Sequence, residues 1–103
     1  MTYPKAEVNI SISNQQNITL APDVLVQELS GESVLLNLNS EEYFGLDEVG
    51  SRMLSVLTGS ASIQEASDRL LEEYEVEPEK LHQDLMELIE KMVDQGLVTV
   101  SSA

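Results

Sequence analysis

Between Ser33 and Leu57 the apolar positions change their period. Val34, Leu36 and Leu38 alternate with other residues, the spacing of a half-buried strand. Ser40-Glu41-Glu42 is a polar turn, and Tyr43 to Leu46 is a second short strand in which Phe44 and Leu46 alternate. Asp47 then suits a helix N-cap, because its carboxylate can accept a backbone N–H of the first turn. Val49, Met53, Val56 and Leu57 follow at helical spacing and predict a first helix from about Glu48 to Thr58. Gly50 would allow close approach of this helix to the sheet, and Gly59 is placed as its C′ residue.

Upstream, Val24 to Leu29 reads as a strand, and Ser30-Gly31-Glu32 as a turn with a glycine available for positive φ. The three strands make a small antiparallel meander. Further back, Val8, Ile10 and Ile12 alternate, as do Ile18 and Leu20, on either side of the polar Asn14-Gln15-Gln16-Asn17. These runs predict an N-terminal hairpin or a loose strand over the sheet. We therefore set residues 1–21 apart as an N-terminal segment with possible extra strands, and 22–103 as the main domain.

Downstream, Ser62-Ile63-Gln64-Glu65 fits a capping box. A second helix follows to about Tyr74 with Ile63, Ala66, Leu70 and Tyr74 on one face. Glu75-Val76-Glu77 is a short connection. Pro78 suits the first turn of a third helix, which runs to about Gln95 and stops at Gly96. Leu97, Val98 and Val100 make a short final strand. The expected fold is α+β: a three-stranded antiparallel sheet packed on a three-helix, winged-helix-like bundle.

The third helix has a lopsided apolar arc. At about 100° per residue, Leu81, Leu85, Leu88 and Met92 fall within about 60° and form a core seam. His82, Met86, Ile89 and Val93 lie on the next flank. That stripe either completes the core or walls a groove beside the strand at Tyr43–Leu46.

Composition narrows the function classes. Nineteen acids against five Lys plus Arg give a net charge of −14. Such a surface repels phosphate backbones and anionic membranes, and a partly cationic partner is steered inward. The helix-turn-helix layout suggests a winged-helix regulator. However, the third helix sets only Lys80 and Lys91 among Glu79, Asp84, Glu87, Glu90 and Asp94, which leaves few donors for phosphates and base edges. There is no cysteine, and the single histidine, His82, has no second histidine to build a metal site, so no metal or organic cofactor is expected. The five glycines are scattered and make no phosphate loop. The acid pairs sit in a turn or on polar helix faces, so no catalytic residues are assigned. The N-terminus lacks the basic and apolar regions of a signal peptide, and no apolar run approaches the ~20 residues of a membrane span, so a cytoplasmic location is expected.

Three stretches carry a resemblance. Ser33-Val34-Leu35-Leu36-Asn37-Leu38 with Tyr43-Phe44-Gly45-Leu46-Asp47-Glu48-Val49-Gly50 resembles the family of pyrroloquinoline quinone biosynthesis protein D. So do Ser62-Ile63-Gln64-Glu65-Ala66 with Leu70-Leu71-Glu72-Glu73-Tyr74, and Leu88-Ile89 through Gly96-Leu97-Val98. The likeness spans about residues 22–100. It implies a non-catalytic recognition element that binds the leader segment of a ribosomally made, post-translationally modified precursor peptide. The implied recipient of that peptide is a modifying enzyme, such as a radical S-adenosylmethionine protein or the leader peptidase of a lasso-peptide pathway. The Tyr-Phe-Gly-Leu form resembles the lasso-associated and general branches more than the quinone-cofactor branch. The Val8–Leu20 segment has no counterpart in the pattern.

The expected site combines both lines of reasoning. A leader peptide would add as a strand on Tyr43, Phe44, Gly45 and Leu46, with His82, Met86, Ile89 and Val93 as the pocket wall. The alternative is a winged-helix regulatory or structural subunit that binds no leader.

Overall fold

The computed structural model describes residues 12–102. Its elements are, in order, β1 (Gln16–Leu20), β2 (Val24–Leu29), β3 (Glu32–Asn37), β4 (Glu42–Leu46), α1 (Glu48–Thr58), α2 (Ile63–Glu73), α3 (Pro78–Asp94) and β5 (Val98–Ser102). β2, β3 and β4 form an antiparallel three-stranded sheet in that order, and β1 pairs with β5 in a separate two-stranded sheet. The fold is α+β, with three helices, a three-stranded antiparallel sheet and a two-stranded one.

The local signals are realised where side chains have a defined task. Asp47 Oδ1 accepts from Gly50 N at 2.8 Å, which starts α1 directly after β4. Ser62 Oγ accepts from Glu65 N at 3.1 Å, and Glu65 reaches back to Ala61 N at 3.1 Å, which closes the cap of α2. Pro78 occupies the first turn of α3, where a missing N–H leaves no bond unmade. Gly31 and Gly96 both take positive φ, at the β2–β3 turn and just past α3. Gly59 differs from expectation: it is the C-cap of α1 at φ −96°, a conformation that does not require glycine.

Three expectations are corrected. First, the pattern gave Val34, Leu36 and Leu38 as the buried face of their strand, but β3 is turned the other way. Ser33, Leu35 and Asn37 are buried, whereas Val34 and Leu38 are exposed. Two polar residues hold core positions because each has a partner there. The Ser33 hydroxyl bonds to that of Ser51 on α1, and Asn37 Nδ2 donates to the Gln95 carbonyl at 3.2 Å. Second, Ile18 and Leu20 are not a loose strand over the three-stranded sheet. Ile18 is buried and β1 pairs along its length with β5, Gln16 opposite Ser102 and Leu20 opposite Val98. The alternating residues Val8 and Ile10 lie outside the described residues. Third, the buried seam of α3 is Leu81, Leu85, Ile89 and Met92, with Leu88 only half-buried. The helix is rotated toward the flank bearing Ile89.

One core joins all layers. It runs from Ile18 and Leu97 through Val56, Leu57, Ile63 and Leu70 to Leu85, Ile89 and Met92, with Leu35 and Leu46 reaching in from the sheet. α1 packs on β1, β3, β4 and α2, while α3 packs on α2 and β5. Burial of each large aliphatic side chain contributes about 1.5–3 kcal/mol toward this arrangement. Arg52 on α1 grips Glu73 on α2 with two bonds, at 2.8 and 2.6 Å.

Candidate functional site: an open strand edge

β4 is an edge strand, because β3 borders it on one side and no described strand borders the other. The edge of a sheet presents backbone N–H and C=O groups that a further strand can satisfy. This edge is short and bracketed by acids, with Glu41 and Glu42 at its start and Asp47 and Glu48 at its end. Leu46 is buried and anchors the strand to α1. The register sets Phe44 opposite Leu35, so Phe44 faces the core side and is half-buried there. Tyr43 and Gly45 pair with Leu36 and Val34 on the opposite face. Tyr43 is 74% exposed, and a Cβ on Gly45 would meet no atom within 4 Å.

The flank of α3 divides into two parts. Ile89 is fully buried and belongs to the core. His82, Met86 and Val93 are half-buried at its margin. The close packing of α3 is on α2 and β5, and that of β4 is on β3 and α1. The Asn37–Gln95 bond ties the C-terminal end of α3 to the end of β3 that leads into β4. Val93 stands two residues before that junction. His82 is at the other end of the helix, about 20 Å away at 1.5 Å per residue. There its Nε2 lies 2.9 Å from Asn14 Oδ1. The Asn14 carbonyl in turn accepts from Gln64 N, so His82, Asn14 and the first turn of α2 form one cluster.

Two sets of residues at this sheet carry weight that the apolar pattern concealed. Asn37 and Ser33 fix the sheet against the helices, and the only signal for them was a polar residue inside an apolar run. Leu25, Leu29, Val34 and Leu38 stand exposed on the sheet's outer face. The uninterrupted Val34-Leu35-Leu36 run is the trace they leave in the sequence. Among the described residues no cluster of His, Cys, Asp or Glu could hold a metal ion. No described helix is long and apolar enough to cross a membrane.

Two solved structures share the fold. One is TbiB1 in complex with the TbiA(beta) leader peptide, at 31% identity, covering 77% of this chain and 93% of that one, with a TM-score of 0.71. The other is a lasso peptide synthetase B1 complexed with its leader peptide, at 25% identity, covering 81% and 98%, with a TM-score of 0.73. No curated protein matches the chain. The family model of coenzyme PQQ synthesis protein D matches residues 32–98, from the start of β3 to the start of β5. With well over half its length matched, the chain belongs to the PqqD family.

Proposed function

We propose that this protein binds the leader segment of a ribosomally synthesised precursor peptide along the free edge of β4 and presents it to a modifying enzyme or leader peptidase. The observation that carries this reading is the pairing of an open, acid-bracketed edge strand with a fold whose two similar structures both hold leader peptides. The chain acts by binding, without catalysis, in the cytoplasm and in a lasso-type pathway. Its helices serve as a winged-helix-like support.

The physical basis is strand addition. Main-chain bonds along β4 are indifferent to the peptide's sequence, and each contributes about 0.5–1.5 kcal/mol net. Selectivity comes from side chains beside the edge. Tyr43, Phe44 and Gly45 line the strand, Met86 and Val93 form the helical wall, and Leu46 and Ile89 are the fixed floor beneath. His82 closes the far end through Asn14.

The test is a fluorescence-anisotropy titration with a synthetic leader peptide of a lasso-type precursor. Met86→Asp places a charge on the wall, and Gly45→Pro removes a backbone donor and restrains the strand. Circular dichroism first establishes that both variants are folded. At least a tenfold loss of affinity is expected in each. Binding by both folded variants as tight as that of the parent would place the site elsewhere.

A further inference from the structure

We propose that Asn37 is the positioning residue of the groove between β4 and α3: it holds the two walls at the spacing that receives the leader, without touching the peptide itself. This rests on the leader-binding reading above and names the residue that shapes that site. The two walls belong to different packing units, since α3 packs on α2 and β5 while β4 packs on β3 and α1. Something must fix their separation, and Asn37 bridges them. It is 8% exposed, on the inner face at the end of β3, and the register sets it opposite Glu42, the first residue of β4.

The polar atoms of this residue serve both sides of the bridge. On the strand side, Oδ1 accepts from Asn39 N at 2.9 Å and from Ser40 N at 3.3 Å. The backbone carbonyl accepts from Glu41 N at 2.7 Å. These bonds fold the β3–β4 turn, in which Glu41 takes a left-handed φ of +61°. Asn39 fastens the same turn to Asp23, just before β2, by donating to its Oδ2 at 2.9 Å. On the helix side, Nδ2 donates to the Gln95 carbonyl at 3.2 Å.

The helix end needs that donor. The last carbonyls of an α-helix have no intrahelical partner. At α3, Leu97 N bonds to Met92 O at 2.8 Å and Gly96 N to Val93 O at 3.0 Å, which closes a Schellman motif on Gly96 at φ +71°. That motif leaves the Gln95 carbonyl over, and Asn37 takes it. Space is limited there, since a Cβ on Gly96 would lie 3.4 Å from Asn37 Nδ2. One amide thus joins the turn that launches β4 to the cap that ends α3. Aspartate at this position would keep the Oδ1 bonds to the turn but set a lone pair against the Gln95 carbonyl, because a carboxylate only accepts. Ser33, on the same face of β3, bonds to Ser51 on α1 rather than to α3. If the walls hold the receptive spacing for only roughly a tenth of the time without the bridge, leader affinity falls about tenfold. Linkage requires the converse: bound leader must hold the bridge closed by the same factor.

Asn37→Asp and Ser33→Ala are titrated with the synthetic leader peptide, after circular dichroism establishes that each is folded. Leader affinity should fall about tenfold in Asn37→Asp and stay within about twofold of the parent in Ser33→Ala. Binding by Asn37→Asp as tight as that of the parent, or an equal loss in Ser33→Ala, would overturn the role of Asn37. A second measurement needs no variant. In NMR spectra of the parent, saturating leader should slow water exchange of the Asn37 side-chain amide protons about tenfold and that of the Asn39 amide, bonded in the exposed turn, by less than about twofold. Unchanged exchange at Asn37, or equal slowing at both amides, would refute the proposal even where Asn37→Asp does not fold. A parent that binds no leader would overturn the proposed function, and this role with it.

Discussion

Leu35→Ala and Leu36→Ala differ by one position and should differ severalfold in cost. Leu35 is fully buried, facing α1 with Ser33 and Asn37 on either side. Its truncation removes three carbons from a closed core and should cost about 3–4 kcal/mol. Leu36 is half-buried on the outer face between Leu25 and Tyr43. Its truncation should cost less than about 1 kcal/mol, as at other partly solvated sites. A domain of this size has about 5–15 kcal/mol of stability in total. With a urea slope of about 1–1.5 kcal/mol per molar, Leu35→Ala moves the midpoint down by about 2–4 M and Leu36→Ala by less than about 1 M. Equilibrium urea unfolding followed by circular dichroism reads both. Equal midpoints, or a larger fall for Leu36→Ala, would mean that β3 is turned by one residue. That result would also send Tyr43 inward and Phe44 outward, and would undo both the edge site and the outer face.

Three further outcomes follow from charges and caps. Leader association should slow as ionic strength rises, because the acids flanking β4 steer the peptide in and are screened by salt; stopped-flow rates at low and high salt measure this, and a flat rate would mean the acids act only in solubility. The two bonds from Arg52 hold the Glu73 carboxyl below its ordinary value of 4.5, so their stabilisation is present above that value and is lost as pH falls through the lower folded one. The pair is exposed, so Glu73→Gln should lower Tm slightly at pH 7 and not at pH 2, with the difference reduced by salt. Ser62→Ala should cost about 1 kcal/mol in thermal or urea unfolding, and Ser62→Asp should restore most of it; an unchanged midpoint in Ser62→Ala would mean that the Ser62–Glu65 bond contributes nothing.

Signals that act over a few residues were legible in the sequence. Asp47, Ser62 and Pro78 each start a helix through a group in their own first turn, and all three helices begin where those residues predict. The facing of β3 was not legible, because both of its sides carry apolar residues and its core side is completed by Ser33 and Asn37. Their partners, Ser51 and Gln95, are 18 and 58 residues away. A period of two fixes that a strand has two faces, and which face turns inward is decided by such distant partners. The same holds for α3, whose seam is displaced toward Ile89 by packing on β5, and for β1, whose partner strand lies about 80 residues on. At the candidate site, the edge character of Tyr43–Leu46 was readable from the short meander. The burial of Ile89 and the engagement of His82 by Asn14 were not, since each depends on how the helix is rotated and where the N-terminal segment runs.

The pairing of Gln16 with Ser102 sets the start of β1 and the end of β5 one strand apart, about 5 Å. Topologically the domain is therefore nearly a closed ring. A short flexible bridge could join those ends, and the chain could be reopened at Glu75–Glu77, between α2 and α3, without cutting any helix or strand. By the same geometry the whole unit can be inserted into a surface loop of a host protein, entering and leaving at a single point. β4 is outside that two-stranded closure, in the other sheet. A grafted copy would thus carry its open edge intact, and the length of the tether alone would set how far the held peptide reaches.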